Sequence, residues 1–148
     1  MKILVAVDGS SFSNVAINEV ALRPWPTSSE VKVITAFQVP MIPTPEVWAI
    51  ADECIPALQQ IAREQAQRMV DAAVERLSTS MDKSVRVMGE VLEGPPRDVI
   101  LDEAERWKAD LIVGGLARLR CLARSSVGLS VSSGCLASQV FSRGCSLS

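Results

Sequence analysis

After Lys2, the opening KILVAV is an unbroken apolar run through Val7, the pattern of a strand covered on both faces. It stops at Asp8-Gly9-Ser10-Ser11, a turn whose serines are candidate helix N-caps. Ala16, Ile17, Val20 and Ala21 then recur at helical spacing until Pro24 and Pro26 end that helix. Residues 31–37, VKVITAF, predict a second strand, and Pro40, Pro43 and Pro45 mark a stiff loop after it. A long helix follows over roughly 56–78, with Ala66, Met69, Val70, Ala73, Val74 and Leu77 on one face. Ser84 to Glu90, SVRVMGE, predicts a third strand. Gly94-Pro95-Pro96 opens a further helix, with proline in the first turn where its missing N–H costs little. Ile100, Ala104 and Trp107 line one side of that helix, and residues 110–114 predict a fourth strand.

Strands alternating with helices imply a parallel sheet with helices on both faces, joined by right-handed crossovers. A chain of 148 residues suits one such domain with a sizeable core. Ligands of these folds bind beyond the carboxyl ends of the strands, where the strand order reverses. The first strand runs out at Asp8 and the fourth at Gly114, so both ends are expected to face one crevice.

Composition narrows the function classes. The chain is 48% hydrophobic and 22% charged, ordinary for a soluble globular protein. A net charge of -2 with no basic run argues against nucleic acid as a partner. No apolar stretch reaches membrane-spanning length, and the opening run enters Asp8-Gly9 too soon for a signal peptide, so the expected location is the cytoplasm, with no membrane partner. Cys54, Cys121, Cys135 and Cys145 match no zinc or redox spacing. Histidine and tyrosine are both absent, which removes the commonest general base and metal ligand and weighs against hydrolysis. No catalytic residue and no metal site is expected.

KILVAVDGSSFSNVAI, VKVITAFQV, the Gly94-Pro95 helix start and ADLIVGG, in that order and spacing, resemble the universal stress protein family over residues 1–115. The resemblance implies a three-layer α/β/α fold of Rossmann-like (adenine nucleotide alpha hydrolase-like) topology. It implies five strands in the order 3-2-1-4-5, dimerisation through the last strand, ATP binding and no dedicated catalysis. It further implies that Asp8 lies near the adenosine, that Ala6 and Val7 supply backbone contacts, and that Ala36 meets the adenine through its main chain. The family cradles phosphates with a loop of pattern G-x2-G-x9-G-[S/T], because backbone amides approach a phosphate closely only where side chains are missing. Gly115 matches the first glycine, Arg118 stands at the second, and Gly128 at the third is followed by Leu129. The motif is broken.

Residues 116–148 form an aberrant Ser/Leu/Arg-rich tail to the domain. From Gly115 onward there is no Asp, Glu or Lys, while nine Ser, six Leu and four Arg make up 19 of the 34 positions. Those three amino acids have the most codons, which is the bias of a nucleotide string read in the wrong frame. The first 114 residues, by contrast, carry 11 basic and 17 acidic groups. Read one nucleotide later, codons for Gly114 to Arg118 permit Val-Gly-Ser-His-Gly, and those for Gly128 to Val131 permit Gly-Ser-Val-Ser at the family's spacing. One extra nucleotide near codon 114 accounts for this; a genuine but divergent tail is the alternative. The expected consequences are a strand order of 3-2-1-4 with the fifth strand lost or irregular, a bare outer edge on strand four, and a weakened homodimer. Leu116 to Arg124 could form a short helix and Ser126 to Val131 a makeshift strand.

Asp8 is the leading candidate, as an adenosine contact or as a turn residue capping the first helix. Gly115 reads as a nucleotide contact or a strand terminator. Trp25, Trp48 and Trp107 read as packing residues, and Asp98, Asp102 and Glu105 as a solvated helix face rather than a metal site. The functional expectation is a non-catalytic stress-response protein of ATP-binding ancestry, with binding impaired in this chain. The alternative is a nucleotide-independent protein-interaction module of the same family, and a related nucleotide-using enzyme is weighed against by the missing histidine.

Overall fold

The computed structural model of the chain describes residues 1–39, 51–114 and 139–142. In chain order these form β1 (Lys2–Ala6), α1 (Ser11–Leu22), β2 (Glu30–Phe37), α2 (Ala51–Ser80), β3 (Arg86–Glu93), α3 (Pro96–Trp107), β4 (Leu111–Gly114) and β5 (Gln139–Ser142). The sheet order is β3-β2-β1-β4-β5. The first four strands are parallel, with Ala6 level with Ile34 on one side and Gly114 on the other.

Strand alternation divides the core into two layers. Ile3, Val5, Val7, Val31, Val33, Leu111 and Val113 point to one face, where Ala16, Ile17 and Val20 of α1 and Val70, Ala73 and Leu77 of α2 cover them. Leu4, Ala6 and Ile34 point to the other, under Ile100 and Ala104 of α3. The apolar residues that predicted the helices are those that are buried, and the result is a three-layer α/β/α sandwich. Close packing of α2 on β3 depends on Gly89, where an added Cβ would lie 2.3 Å from Val70 Cγ1 and 2.9 Å from Val74 Cγ2.

Three boundaries differ from expectation. The second helix begins at Ala51, not 56, because Pro56 is an exposed interior residue of α2 whose lost hydrogen bond does not stop the helix. β3 continues to Glu93 because it stays in register with β2 as far as Phe37. The outer edge of β4, expected to be bare, carries β5. The fifth strand is irregular in its direction: it runs antiparallel, pairing Gly114 with Gln139 and Leu111 with Ser142. Unpaired edge amides and carbonyls accept an extended segment of either direction, so a tail of foreign composition still closes the edge. The helix suggested at Leu116–Arg124 and the strand at Ser126–Val131 lie outside the described residues, as do Trp48, Cys121, Cys135 and Cys145. Among the described residues no helix is long and apolar enough to cross a membrane.

Candidate functional site

The carboxyl end of β1 lies between β2 and β4. Ala6 and Val7 are buried, and Asp8, the next residue, is exposed. Pairing with β2 continues one step past the strand: the Val7 N–H donates to the Ile34 carbonyl at 2.9 Å, and the Thr35 hydroxyl donates to the Val7 carbonyl at 3.1 Å. These bonds hold the β1 end against β2. Ala36 follows Ile34 by two residues and so shares its face of the sheet, the α3 face that Ala6 also occupies. Sequence reasoning therefore brings Ala6, Val7, Asp8 and Ala36 together at one sheet end. Gly115 lies outside the described residues; the residue before it, Gly114, ends β4 opposite Ala6.

Asp8 braces the turn rather than capping the helix. Its Oδ1 accepts the Ser10 N–H at 2.9 Å. The N-cap is Ser10, whose hydroxyl accepts the Ser13 N–H at 3.2 Å. That division leaves Asp8 exposed just past the end of β1, with one carboxylate oxygen committed to the turn. Trp25 and Trp107 are packing residues, the former anchored by an indole N–H donated to the Val20 carbonyl at 2.8 Å. Asp98, Asp102 and Glu105 are exposed, and no cluster of potential metal ligands occurs among the described residues.

A buried charge cluster beneath the α3 face was not foreseen. Lys32, in the middle of β2, is 8% exposed, and Glu103 of α3 is 4% exposed. The Lys32 ammonium pairs with both Glu103 and Glu90, and Arg106 pairs with Glu103 and, at 3.4 Å, with Glu90. Trp107 sits beside the cluster, its ring 5.8 Å from Lys32 Nζ and 5.4 Å from Lys2 Nζ. Burial alone would raise the Glu103 carboxyl, but hydrogen bonds and charge from Lys32 and Arg106 outweigh it and hold the group below the ordinary carboxylate value. Burial likewise opposes the charged form of Lys32, and its two glutamate partners more than compensate, raising it. Two cations and two carboxylates balance, so the cluster offers no free charge to a ligand; it ties β2, β3 and α3 together. Its signal in the sequence was a lysine inside the apolar run VKVITAF and a glutamate inside the stripe of Ile100, Ala104 and Trp107.

These elements define a doubly wound α/β protein of Rossmann-like topology, with β1 and β4 as adjacent parallel strands. The family model for the universal stress protein family matches residues 1–138, and the chain belongs to that family. No curated protein matches it. Among solved structures, the hypothetical protein MJ0577 superposes with a TM-score of 0.61 at 21% identity, over 75% of this chain and 71% of that one. A universal stress protein family protein from Arabidopsis thaliana with AMP bound gives 0.55 at 19% identity, over 83% and 81%. A universal stress protein in complex with cAMP gives 0.52 at 19% identity, again over 83% and 81%. These likenesses establish the fold.

Proposed function

We propose that this chain is a non-catalytic stress-response protein of adenine-nucleotide-binding descent that keeps the adenosine half of the site and lacks the phosphate half. Ala6, Val7, Asp8 and Ala36 are the adenosine contacts, with Gly115 at the start of the phosphate loop. The observation that carries this reading is their placement: three consecutive residues at the β1 end and Ala36 on the adjacent strand, on a fold whose structural neighbours include AMP- and cAMP-bound proteins. The loop that would grip a triphosphate presents Arg118 and Leu129 where glycine and a hydroxyl residue are required. The Arg118 side chain blocks the approach of backbone amides and Leu129 supplies no hydroxyl, so ATP loses the contacts that distinguish it from adenosine. The tail from residue 116 is an out-of-frame reading of a family C-terminus, and with it the last-strand dimer contact is weakened.

Calorimetric titration with ATP tests this on two proteins: the chain as it stands, and a version whose tail is translated one nucleotide later. The expected result is no measurable heat of binding for the first and saturable binding for the second. Tight ATP binding by the unaltered chain contradicts the proposal. Resequencing the gene across codon 114 tests the origin of the tail; an intact codon run without an extra nucleotide refutes the frame shift and leaves the half-site to be judged on the titration.

A further inference from the structure

The opposite face of the sheet holds a second opening. Between α1 and α2, at the carboxyl end of β1, lies an open cleft of about 220 Å³ lined by residues of both helices and of the β1–α1 turn. Its floor is apolar: Val7, Ile17 and Ala73 are buried there, and Met69 forms one wall. Gly9 forms the adjacent wall with φ +74°, and a Cβ at that position would stand 2.6 Å from Met69 Sδ. The polar lining consists of Ser13, Asn14 and Arg76.

Charge in this lining is one-sided. Among the described lining residues Arg76 is the one ionised group, and none of them is a carboxylate. Three and four residues away along α2 stand Ala72, Ala73, Thr79 and Ser80, none able to form an ion pair. Among the described residues, neither the Arg76 guanidinium nor the Asn14 side-chain amide makes a hydrogen bond or salt bridge, whereas Arg23, Arg86 and Arg106 each meet a glutamate. The Ser13 hydroxyl donates to the Ser10 carbonyl at 2.9 Å and keeps its acceptor capacity. Size narrows the occupant. The cleft falls below the ~300 Å³ at which pockets for drug-sized ligands begin, and at ~30 Å³ per water it holds only a few water volumes.

We propose that this cleft is a binding site for a small anion with an apolar body, a short-chain carboxylate. Its carboxylate is held by charge-assisted hydrogen bonds from Arg76 and by the Asn14 amide, and its chain lies on Val7, Ile17 and Met69. The cleft opens toward α1 and α2 while Ala6 and Ala36 belong to the α3 face; Val7 is shared, its side chain on the cleft floor and its backbone among the adenosine candidates. Arg76 and Asn14 belong to the cleft alone, so a test at Arg76 is independent of the nucleotide reading.

Amide-resolved NMR titration of the full chain with hexanoate, with 1-hexanol and hexylammonium as controls, tests it. Hexanoate is expected to give saturable shifts at Gly9, Ser13, Asn14, Ala72 and Ala73. Hexanol is expected to bind at least fivefold more weakly, and hexylammonium not at all. Arg76→Gln alters an exposed side chain and is expected to reduce hexanoate affinity at least fivefold, to the level of hexanol, with an unchanged circular dichroism spectrum. Absent or non-saturating shifts at these residues overturn the proposal. So do equal affinities for hexanoate in the wild type and Arg76→Gln, or shifts concentrated at Ala6 and Ala36.

Discussion

The two faces of the sheet are built from alternate residues of the same strands, yet they solve burial differently. On the α1–α2 side, thirteen buried residues form a core of aliphatic side chains and alanines with a cleft at its upper end. On the α3 side, the described residues include six buried apolar ones, and Lys32, Glu103 and their partners lie beside them near Trp107. The first face derives its stability from apolar area and tight approach, at ~25 cal/mol per Å² removed from water. The second depends on a balanced set of charges that is costly to break and cheap to replace as a whole. The adenosine candidates straddle this division, with Ala6 and Ala36 on the charged face and Val7 on the aliphatic one, where the anion cleft opens.

The sharpest way to break this contrast is to unbalance the charged face. Glu103→Ala leaves Lys32 buried with only Glu90, and a loss of ~3–5 kcal/mol is expected in urea unfolding. The double variant Lys32→Met with Glu103→Leu is expected to recover most of it; a double variant as unstable as Glu103→Ala would mean that the charges are a net source of stability. The acid limb reports the same cluster. The folded Glu103 carboxyl lies below its ordinary value of 4.5, so its contribution is complete above that pH and fades as pH falls through the folded value. Acid unfolding of the double variant should accordingly be flatter below pH 4.5 than that of the wild type.

On the aliphatic face, Gly89→Ala drives a methyl group into Val70 and is expected to cost ~1–3 kcal/mol, with partial relief when combined with Val70→Ala. Additive losses in that double variant would show that the helix moves away instead of the side chains clashing. The smallest effect belongs to the turn that presents Asp8. Ser10→Ala removes the α1 N-cap and is expected to cost ~1 kcal/mol. Asp8→Asn, which keeps an oxygen for the Ser10 N–H, should cost less than Ser10→Ala in the same unfolding assay.

Much of the fold could be read from periodicity, because both faces of β1, β2 and β4 are covered and their sequences are correspondingly apolar. Ala16, Ile17 and Val20 of α1 and Val70, Ala73 and Leu77 of α2 are the residues whose spacing predicted those helices. What escaped was non-local. Lys32 in an apolar run and Glu103 in an apolar helical stripe each look like a local exception, and only the crossover from β3 to α3 brings them together. The antiparallel β5 was also out of reach, since the tail carries no alternating pattern and its pairing answers to the open edge of β4. The start of α2 was misjudged because Pro56 is a strong stop signal in sequence but costs only one hydrogen bond at an exposed position. For the site, Ala6, Val7, Asp8 and Ala36 were reachable because the parallel register carries them to one end of the sheet. The cleft at Arg76 was not, since its walls come from two helices far apart in sequence.

In the proposed half-site, adenosine contacts survive at the β1 and β2 ends while triphosphate contacts do not. Amide-resolved NMR with the unaltered chain at millimolar ligand compares ATP with adenosine directly. A surviving adenosine half-site gives weak perturbations at Val7, Asp8 and Ala36 with equal affinity for the two ligands. An affinity for ATP at least tenfold above that for adenosine, with shifts extending to Gly115 and Gly128, would contradict it.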